Sequence, residues 1–324
     1  MFSAIVCLGA INVDLLYQVT DLGPFLSVWP ELRPGGEVAL APGEERRIQE
    51  LLSSWGLFQG KHGGGQAANT AWALAKMGLN PALVGRVGAD ADGAFLKENL
   101  AGVNLDYLTT DGASGRTYIL LDPEGRRTIL AASNTNDALT LADIPLKELA
   151  DVAFLHLTSF VGEGPLAVQM EVASRLVDGP HLTLAPGECY ARRGGADLAG
   201  IIDYLDTLLV TEREWELLGG PPQAHPLWAP PVVVIKRGAR GARLITPPRY
   251  LDFPVELVPR PVDTSAAGDV FDAGYLAGRF SGLHLNLAVR LANRAAVVSL
   301  DGVGRENYPD AFFLKEQLDQ LTMV

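Results

Sequence analysis

The sequence predicts an α/β fold in which a twisted, mainly parallel sheet lies between layers of helices. Strand-like and helix-like runs alternate along the second half of the chain, at 152–157, 165–177, 181–184, 208–210 and 232–235. This alternation is typical of a parallel sheet with helices on both faces. The apolar run 4–8 ends at Gly9, as expected of a central strand. Two further runs, 117–121 and 128–132, flank a turn at 122–125 and predict a hairpin that projects as a small sheet.

Composition indicates one large globular domain that spans residues 1–324. The net charge is 26 − 38 = −12, which argues against nucleic acid and anionic membranes as partners. We find no run long enough to cross a membrane, and the apolar start lacks the basic residues of a signal peptide. Cys7 and Cys189 are too few and too far apart to suggest a disulfide framework, so we expect a cytoplasmic protein.

Helices are predicted at 44–55, 67–77, 92–101 and 285–298. A short strand is expected around 38–40, and the alternating run 255–258 predicts a half-buried strand. The segment between 21 and 60 is interrupted by prolines and glycines and gives little further signal.

The stretch 263–269 has the composition of an anion site where a loop becomes a helix. The residues before Asp269 are small, so an anion could approach the unpaired amides of the first helical turn: Ala266, Ala267 and Gly268. A carboxylate would repel a simple anion here. Asp269 is explained if it accepts a proton from an attacking hydroxyl while the amides hold developing phosphoryl charge. The alternative is a helix cap with close packing.

Two other stretches carry residue types that bind hydroxyl-rich ligands. Asn12 and Asp14 follow the first strand, where open α/β sheets bind ligands, although their spacing alone favours a turn held by their side chains. Gly63–Gly65 before a helix indicates that something approaches the backbone closely. The stretch fits G-x-G-x-x-A, a weak dinucleotide signal, since no clear strand leads into it. The glycines at 56 and 60 fail as a Walker A loop because His62 replaces the required Ser or Thr.

Taken together, these motifs resemble the PfkB/ribokinase family of carbohydrate and nucleoside kinases over nearly the full length. The C-terminal signature of that family is usually Asp-Thr-x-Gly-Ala-Gly-Asp, and here Ser265 and Ala266 depart from it. The N-terminal signature, Gly-Gly-x-x-x-Asn, matches at Gly64, Gly65 and Asn69. The resemblance implies that Asp269 is the catalytic base and that the amides of residues 266–268 form the anion hole. It also implies that the acceptor hydroxyls are bound by a second set: Asn12, Asp14, Gly64, Gly65 and Asn69.

The resemblance implies a nucleotide and metal site as well, with ATP and Mg²⁺ as ligands. Glu214 stands where the family has the Glu of Asn-x-x-Glu near magnesium, but Thr211 replaces the Asn, and a capping box explains both residues equally. The turn after residue 235 resembles the nucleotide-contacting turn, although a solvated hairpin is the alternative: Lys236, Arg237, Gly238 and Gly241. Asn293 would contact the adenine, and Asp263 with Ser265 would bind a monovalent cation, with K⁺ as the candidate. Phe160 is a candidate wall against the acceptor, or a core residue.

The expected fold is therefore ribokinase-like, with lid segments at about 12–42 and 115–132 and a homodimer formed through the lid. The expected reaction transfers the γ-phosphoryl group of ATP to a hydroxymethyl group of a sugar. Because the segment before Gly63 is long and resembles the adenosine-kinase branch, a nucleoside acceptor is an alternative. A NAD-dependent oxidoreductase and a non-catalytic nucleotide or sugar sensor are alternatives from other classes.

Overall fold

A computed structural model describes residues 5–220, 229–302 and 304–322, and within them the strands form two sheets. The large sheet has nine strands in the order β14-β13-β12-β11-β10-β9-β1-β5-β6. Its strands are β1 (Ile5–Leu8), β5 (Pro81–Val87), β6 (Leu108–Thr110), β9 (Phe154–Thr158), β10 (His181–Ala185), β11 (Thr207–Thr211), β12 (Val232–Lys236), β13 (Ala242–Thr246) and β14 (Arg249–Phe253). The run from β12 to β6 is parallel throughout, and β13 and β14 are antiparallel.

Helices cover both faces of this sheet, as the alternation predicted. The α-helices of the described residues, including those on the small sheet, are α1 (Gly23–Val28), α2 (Glu45–Trp55), α3 (Gln66–Lys76), α4 (Ala91–Glu98), α5 (Leu146–Leu149), α6 (Glu163–Arg175), α7 (Gly187–Ala191), α8 (Ala199–Ile202), α9 (Glu212–Leu217), α10 (Ala267–Phe280), α11 (Leu285–Ser299) and α12 (Ala311–Thr322). One core packs α3, α10 and α11 against the sheet, and a second packs α6, α8 and α9 on the opposite face. The predicted first strand begins within the described residues at Ile5, and Ala4 lies outside them. No helix of the described residues is long and apolar enough to cross a membrane.

The small sheet has the order β3-β8-β7-β2-β4. Its strands are β2 (Asn12–Val19), β3 (Glu37–Ala39), β4 (Gly56–Gly64), β7 (Gly115–Leu121) and β8 (Arg127–Ala132). The predicted hairpin β7–β8 is present, and α1 and α2 pack on this sheet through Phe25, Ile48 and Leu52. The expectation that no strand leads into Gly63–Gly65 was wrong, because β4 runs directly into it. Its glycines give little β propensity, and pairing with β2 holds the strand instead.

One further local expectation was wrong. The run 255–258 forms no strand, and Leu257 is 63% exposed. Its apolar residues Val255 and Val258 instead line a cavity beside α10 and α11. Lys61 of strand β4 pairs its ammonium with the carboxylate of Asp92.

Helices α10 and α11 approach closely because small residues meet where they cross. A Cβ on Gly274 would lie 2.9 Å from Ala292 Cα and 2.9 Å from Ala295 Cβ, so only hydrogen fits there. Since α10 begins at the predicted anion hole, this packing also fixes where that hole lies.

We predict that Gly274→Val lowers the free energy of unfolding by about 1–3 kcal/mol, because the added methyls force α10 and α11 apart. Urea unfolding measures the change. Gly164→Val is the matched control, since Gly164 is exposed on α6 and a Cβ there would meet its nearest atom only at 3.8 Å. Equal stability of the two variants would contradict this account of the helix packing.

Candidate active site

The N-terminus of α10 is the point where the predicted site residues meet. Ala266 has φ +56°, a left-handed conformation that favours glycine, so it is strained where the family pattern prefers Gly. The turn it makes presents the amides of Ala267 and Gly268 at the start of the helix. Within the described residues, Gly268 and Asp269 have no backbone partner for their amides, as an anion hole requires.

Asp269 is buried directly behind this turn. Its Oδ2 accepts a hydrogen bond of 2.8 Å from Asn69 Nδ2, which belongs to α3. Burial raises the pKa of Asp269 to about 7, and the neighbouring Asp272 carboxylate adds to the rise, while Asn69 and Lys236 oppose it. A carboxyl with a pKa near neutrality is suited to accept a proton.

Lys236 and Asp272 form an ion pair beneath the anion hole. Lys236 Nζ lies 2.9 and 3.0 Å from the two carboxylate oxygens of Asp272, and both side chains are largely buried. Burial alone would lower the pKa of the ammonium, but Asp272 and Glu214 raise it overall. The same Nζ would lie 3.6 Å from a Cβ on Gly268, so a positive charge stands beside the turn. Asp272 was not predicted as a site residue, although it follows Asp269 by one turn and lies on the same face of the helix.

Each of the three glycines 63–65 makes room for a different neighbour. A Cβ on Gly64 would lie 2.3 Å from an Asp14 carboxylate oxygen, and a Cβ on Gly65 would lie 2.3 Å from the Ala10 carbonyl. Gly65 also has φ +96°. A Cβ on Gly63 would press on Arg305 at 3.3 Å. The glycine run therefore leaves space for the side chains of Asp14 and Arg305. It does not belong to a dinucleotide-binding unit, because β4 is antiparallel to β2 and that unit is parallel.

Arg305 was missed by sequence reasoning and connects the loop after α11 to the site. Its Nε and Nη2 donate to Asn69 Oδ1 at 3.1 and 2.9 Å. These bonds fix the orientation of the Asn69 amide, so its NH₂ group faces Asp269. A single arginine in a loop carries no distinctive sequence signal, and only the fold brings it to Asn69.

A cavity of about 310 Å³ joins most of the predicted acceptor residues. Asn12, Asp14, Gly65, Asn69 and Asp269 line it together with further carboxylates: Glu37, Glu188 and Glu214. Burial raises the pKa of Asp14 to about 6, opposed by a hydrogen bond from Thr117 and by Arg305. Asn12 Oδ1 accepts 2.8 Å from Asn136, which also bonds the backbone of Ile11 and thereby holds this strand end. Phe160 lines the cavity but is 1% exposed and belongs to the core.

A second cavity, of about 320 Å³, lies on the other side of the α10 N-terminus. Its lining includes Thr211, Asn293 and the turn residues Lys236, Gly238 and Gly241. Asn293 Nδ2 donates to the Phe253 carbonyl at 3.0 Å. Arg237 differs from its neighbours, since its guanidinium lies 3.2 Å from Asp252 and does not line the cavity.

Thr211 and Glu214 form the capping box that the sequence allowed. The Glu214 carboxylate accepts from the Thr211 amide at 2.8 Å, and Thr211 Oγ1 accepts from the Glu214 amide at 3.2 Å. Glu214 also lines the acceptor cavity, so capping and a role near the phosphates are compatible. Among the described residues, no three His, Cys, Asp or Glu side chains gather into a metal site. A Mg²⁺ ion carried mainly by nucleotide phosphates and water fits such a site.

Asp263 ties the signature loop to the loop after α11. Its Oδ1 accepts from the Ser265 amide at 2.8 Å, and its Oδ2 accepts from the Gly304 amide at 3.0 Å. Both oxygens are therefore already used, and the monovalent-cation site at Asp263 and Ser265 stays a prediction. Residue 303 of this region lies outside the described residues.

Comparison with known proteins decides the family. The model of the pfkB family carbohydrate kinases matches residues 59–309. The chain belongs to this family. Ribokinase of Bacillus subtilis is 30% identical over 75% of this chain and 83% of its own length. The ATP-dependent ribose-1-phosphate kinase of Halopiger xanaduensis is 28% identical over 81% of this chain and 89% of its own.

Solved structures agree in fold with this PfkB-family chain. Adenosine kinase from Sinorhizobium meliloti has a TM-score of 0.81 at 18% identity, covering 99% of this chain and 100% of that one. Arabidopsis thaliana ribokinase, solved with ribose and ATP, has a TM-score of 0.77 at 23% identity, covering 98% and 99%. The predicted family, the ribokinase-like fold and the class of kinase acting on an alcohol group are confirmed. The individual roles of the site residues stay predictions.

The raised pKa of Asp269 predicts how stability depends on pH. A carboxyl with a higher pKa in the folded chain adds stability that is full below its unfolded pKa of 3.8 and is lost as pH rises through about 7. Wild-type stability should therefore fall between pH 5 and pH 8, and Asp269→Asn should fall less. Urea unfolding across this range tests the prediction, and equal slopes for both proteins would contradict it.

Proposed function

We propose that this PfkB-family protein transfers the γ-phosphoryl group of ATP to a hydroxymethyl group of a sugar, with Asp269 as the general base. The observation that carries the proposal is the position of the α10 N-terminus between two cavities. Asp269 lines the acceptor cavity, whereas Gly268 and Lys236 line the other. An acceptor hydroxyl on one side and a nucleotide on the other would meet at this turn.

The proton and the phosphoryl group have separate destinations in this scheme. The acceptor oxygen forms a bond to the γ-phosphorus as the bond from that phosphorus to the β-phosphate oxygen breaks, and ADP leaves. The hydroxyl proton passes to the Asp269 carboxylate. The free amides of Gly268 and Asp269, with Lys236, stabilise the charge on the transferred group. The Ala267 amide already donates to the Thr264 carbonyl at 3.4 Å. Mg²⁺, when bound with ATP, would neutralise phosphate charge, and Glu214, which lines the acceptor cavity, would help to orient it.

A sugar fits the acceptor cavity better than a nucleoside. Carboxylates and amides line it, and these accept and donate hydrogen bonds to hydroxyls. A base would need an apolar face on which to stack, yet the aromatic residue there, Phe160, is held in the core. This supports a sugar and weakens the nucleoside alternative.

We predict that acceptor-dependent ADP release falls by about 100- to 10,000-fold in Asp269→Asn, the range that general bases contribute. Wild-type kcat/KM should rise with pH through about 7, because only the ionised carboxylate accepts a proton. The assay uses Mg²⁺–ATP with pentoses, hexoses, sugar acids, sugar phosphates and nucleosides. Asp178→Asn, at an exposed site, is the matched control. Retained turnover in Asp269→Asn would remove it from the base role.

The homodimer through the lid is also proposed. Strand β4 is an edge of the small sheet and exposes Leu57 (65%) and Phe58 (52%), an apolar edge that a second copy would cover. Sedimentation of the wild type and of Leu57→Ser/Phe58→Ser tests this. A monomeric wild type would contradict it.

A cytoplasmic location stays a prediction that cell fractionation would test. Cys7 and Cys189 are both free thiols.

A further inference from the structure

A third cavity, of about 260 Å³, adjoins the acceptor cavity and has a different chemistry. Asp14 and Asn69 line both cavities, so the two meet at the residues predicted to hold the acceptor. We call it the arginine cavity and define it by three side chains that also line it: Arg127, Arg305 and Tyr308. The proposed reaction uses Asp14, Asn69 and Arg305 but gives Arg127 and the Tyr308 hydroxyl no role.

Arg305 brings a positive charge that no carboxylate of the described residues neutralises by direct contact. Its three hydrogen bonds go to uncharged oxygens, namely Asn69 Oδ1 and the Asn99 carbonyl at 3.2 Å. A guanidinium has five N–H groups, so two remain for a ligand. Half-buried arginines without an acidic partner are uncommon, and oxyanions are the ligands that match their planar fork.

Tyr308 supplies a second, independent sign of a ligand. The residue is 3% exposed, and its hydroxyl has no hydrogen-bond partner within the described residues. Leaving a buried hydroxyl unpaired costs about 1–3 kcal/mol, so such groups usually serve a ligand or water. The ring packs edge-on against Trp72 with centroids 5.4 Å apart, which holds the hydroxyl in place.

The two carboxylates of the arginine cavity do not cancel its preference for an anion. Asp263 already accepts two backbone hydrogen bonds, and Arg127 Nη1 lies 3.4 Å from it. Asp14 stands at the boundary with the acceptor cavity, where it would accept hydroxyls. The acceptor cavity itself has five carboxylates and, among its described lining residues, no lysine or arginine. An anionic group would be repelled there and attracted to Arg305.

We propose that the arginine cavity binds an oxyanion, phosphate or carboxylate, carried by the sugar acceptor. The substrate class is then an acidic sugar derivative with a free primary hydroxyl. Its ring hydroxyls lie on Asp14 and Asn69, its hydroxymethyl group reaches Asp269, and its oxyanion contacts Arg305, Arg127 and the Tyr308 hydroxyl. This proposal rests on the proposed kinase function.

Paired acceptors test the proposal: ribose 1-phosphate against ribose, and gluconate against glucose, each with Mg²⁺–ATP. At least one anionic member should exceed its neutral counterpart in kcat/KM by about 10- to 100-fold, the range of hydrogen bonds to charged groups. The pair with the larger difference identifies phosphate or carboxylate. Arg305→Gln and Tyr308→Phe should remove most of this preference by raising KM for the anionic acceptor. Arg46→Gln, whose side chain is 86% exposed, is the control and should change nothing.

Three results would overturn the proposal. The first is a preference for the neutral member of both pairs. The second is an Arg305→Gln variant whose KM rises no more for ribose 1-phosphate than for ribose, since the guanidinium would then serve only to orient Asn69. The third is retention of the anionic preference in Tyr308→Phe, which keeps the ring packing and stays informative even if Arg305→Gln fails to fold.

Binding without catalysis separates this proposal from the kinase function. Inorganic phosphate should raise the Tm of the wild type, and Arg305→Gln and Tyr308→Phe should each reduce that rise. If no acceptor is phosphorylated but this pattern is found, the kinase proposal fails and the oxyanion site stands. If acceptors are phosphorylated but phosphate stabilises all variants equally, the oxyanion site fails alone.

Discussion

The site depends on one buried ion pair, in which the ammonium of Lys236 contacts both carboxylate oxygens of Asp272. Asp269 lies one helical turn before Asp272 on the same face of α10, and Glu214 adds a third carboxylate nearby. Burying carboxylates together is costly unless a cation or a proton compensates. Lys236 offsets part of that cost. Burial, with a smaller effect from the neighbouring carboxylates, still raises the pKa of Asp272 to about 6 and the pKa of Asp269 to about 7.

The need to place these charged groups at one buried point also explains why the packing of α10 against α11 matters for the site. The first turn of α10 can bring its amides and Asp269 to one point only if the helix lies deep against the sheet. Gly274 allows this by letting α11 approach, and Thr70 on α3 bonds the Asp269 carbonyl at 3.3 Å. On the other side, Asn69 and Arg305 fix which face of the carboxyl points at the acceptor cavity.

Much of the fold was predictable because its signals are local. The apolar strands of the parallel sheet, the hairpin around residue 123 and the helices after each strand follow from periodicity and turn residues. Strand β4 was not predictable, since its glycines disfavour strands and only its partner β2 specifies it. The run 255–258 was wrongly predicted as a strand. Its apolar residues line a cavity instead, and an alternating pattern alone does not show whether such residues belong to a strand or to a cavity wall.

The candidate site, like the fold, was predictable from the sequence only in part. Asp269, Asn69 and Asp14 carry motif spacing, so sequence alone could nominate them. Asp272, Arg305 and Tyr308 were not nominated, because their importance comes mainly from burial and from neighbours more than 30 residues away in the chain. Arg237 and Phe160 were nominated by position, but one side chain turns toward Asp252 and the other into the core. The direction in which a side chain points depends on the packing around it, and a sequence motif does not show this.

Direct titration of the Asp269 carboxyl carbon by NMR tests the central claim most closely, with Asp269→Asn used to assign the signal. The account predicts a midpoint near pH 7, because burial and Asp272 disfavour the charged form. It also predicts a higher midpoint in Asn69→Leu, which loses the hydrogen bond to the carboxylate. A midpoint close to the ordinary value of 3.8 would contradict the account, since Asp269 would then be too weak a base for the role proposed.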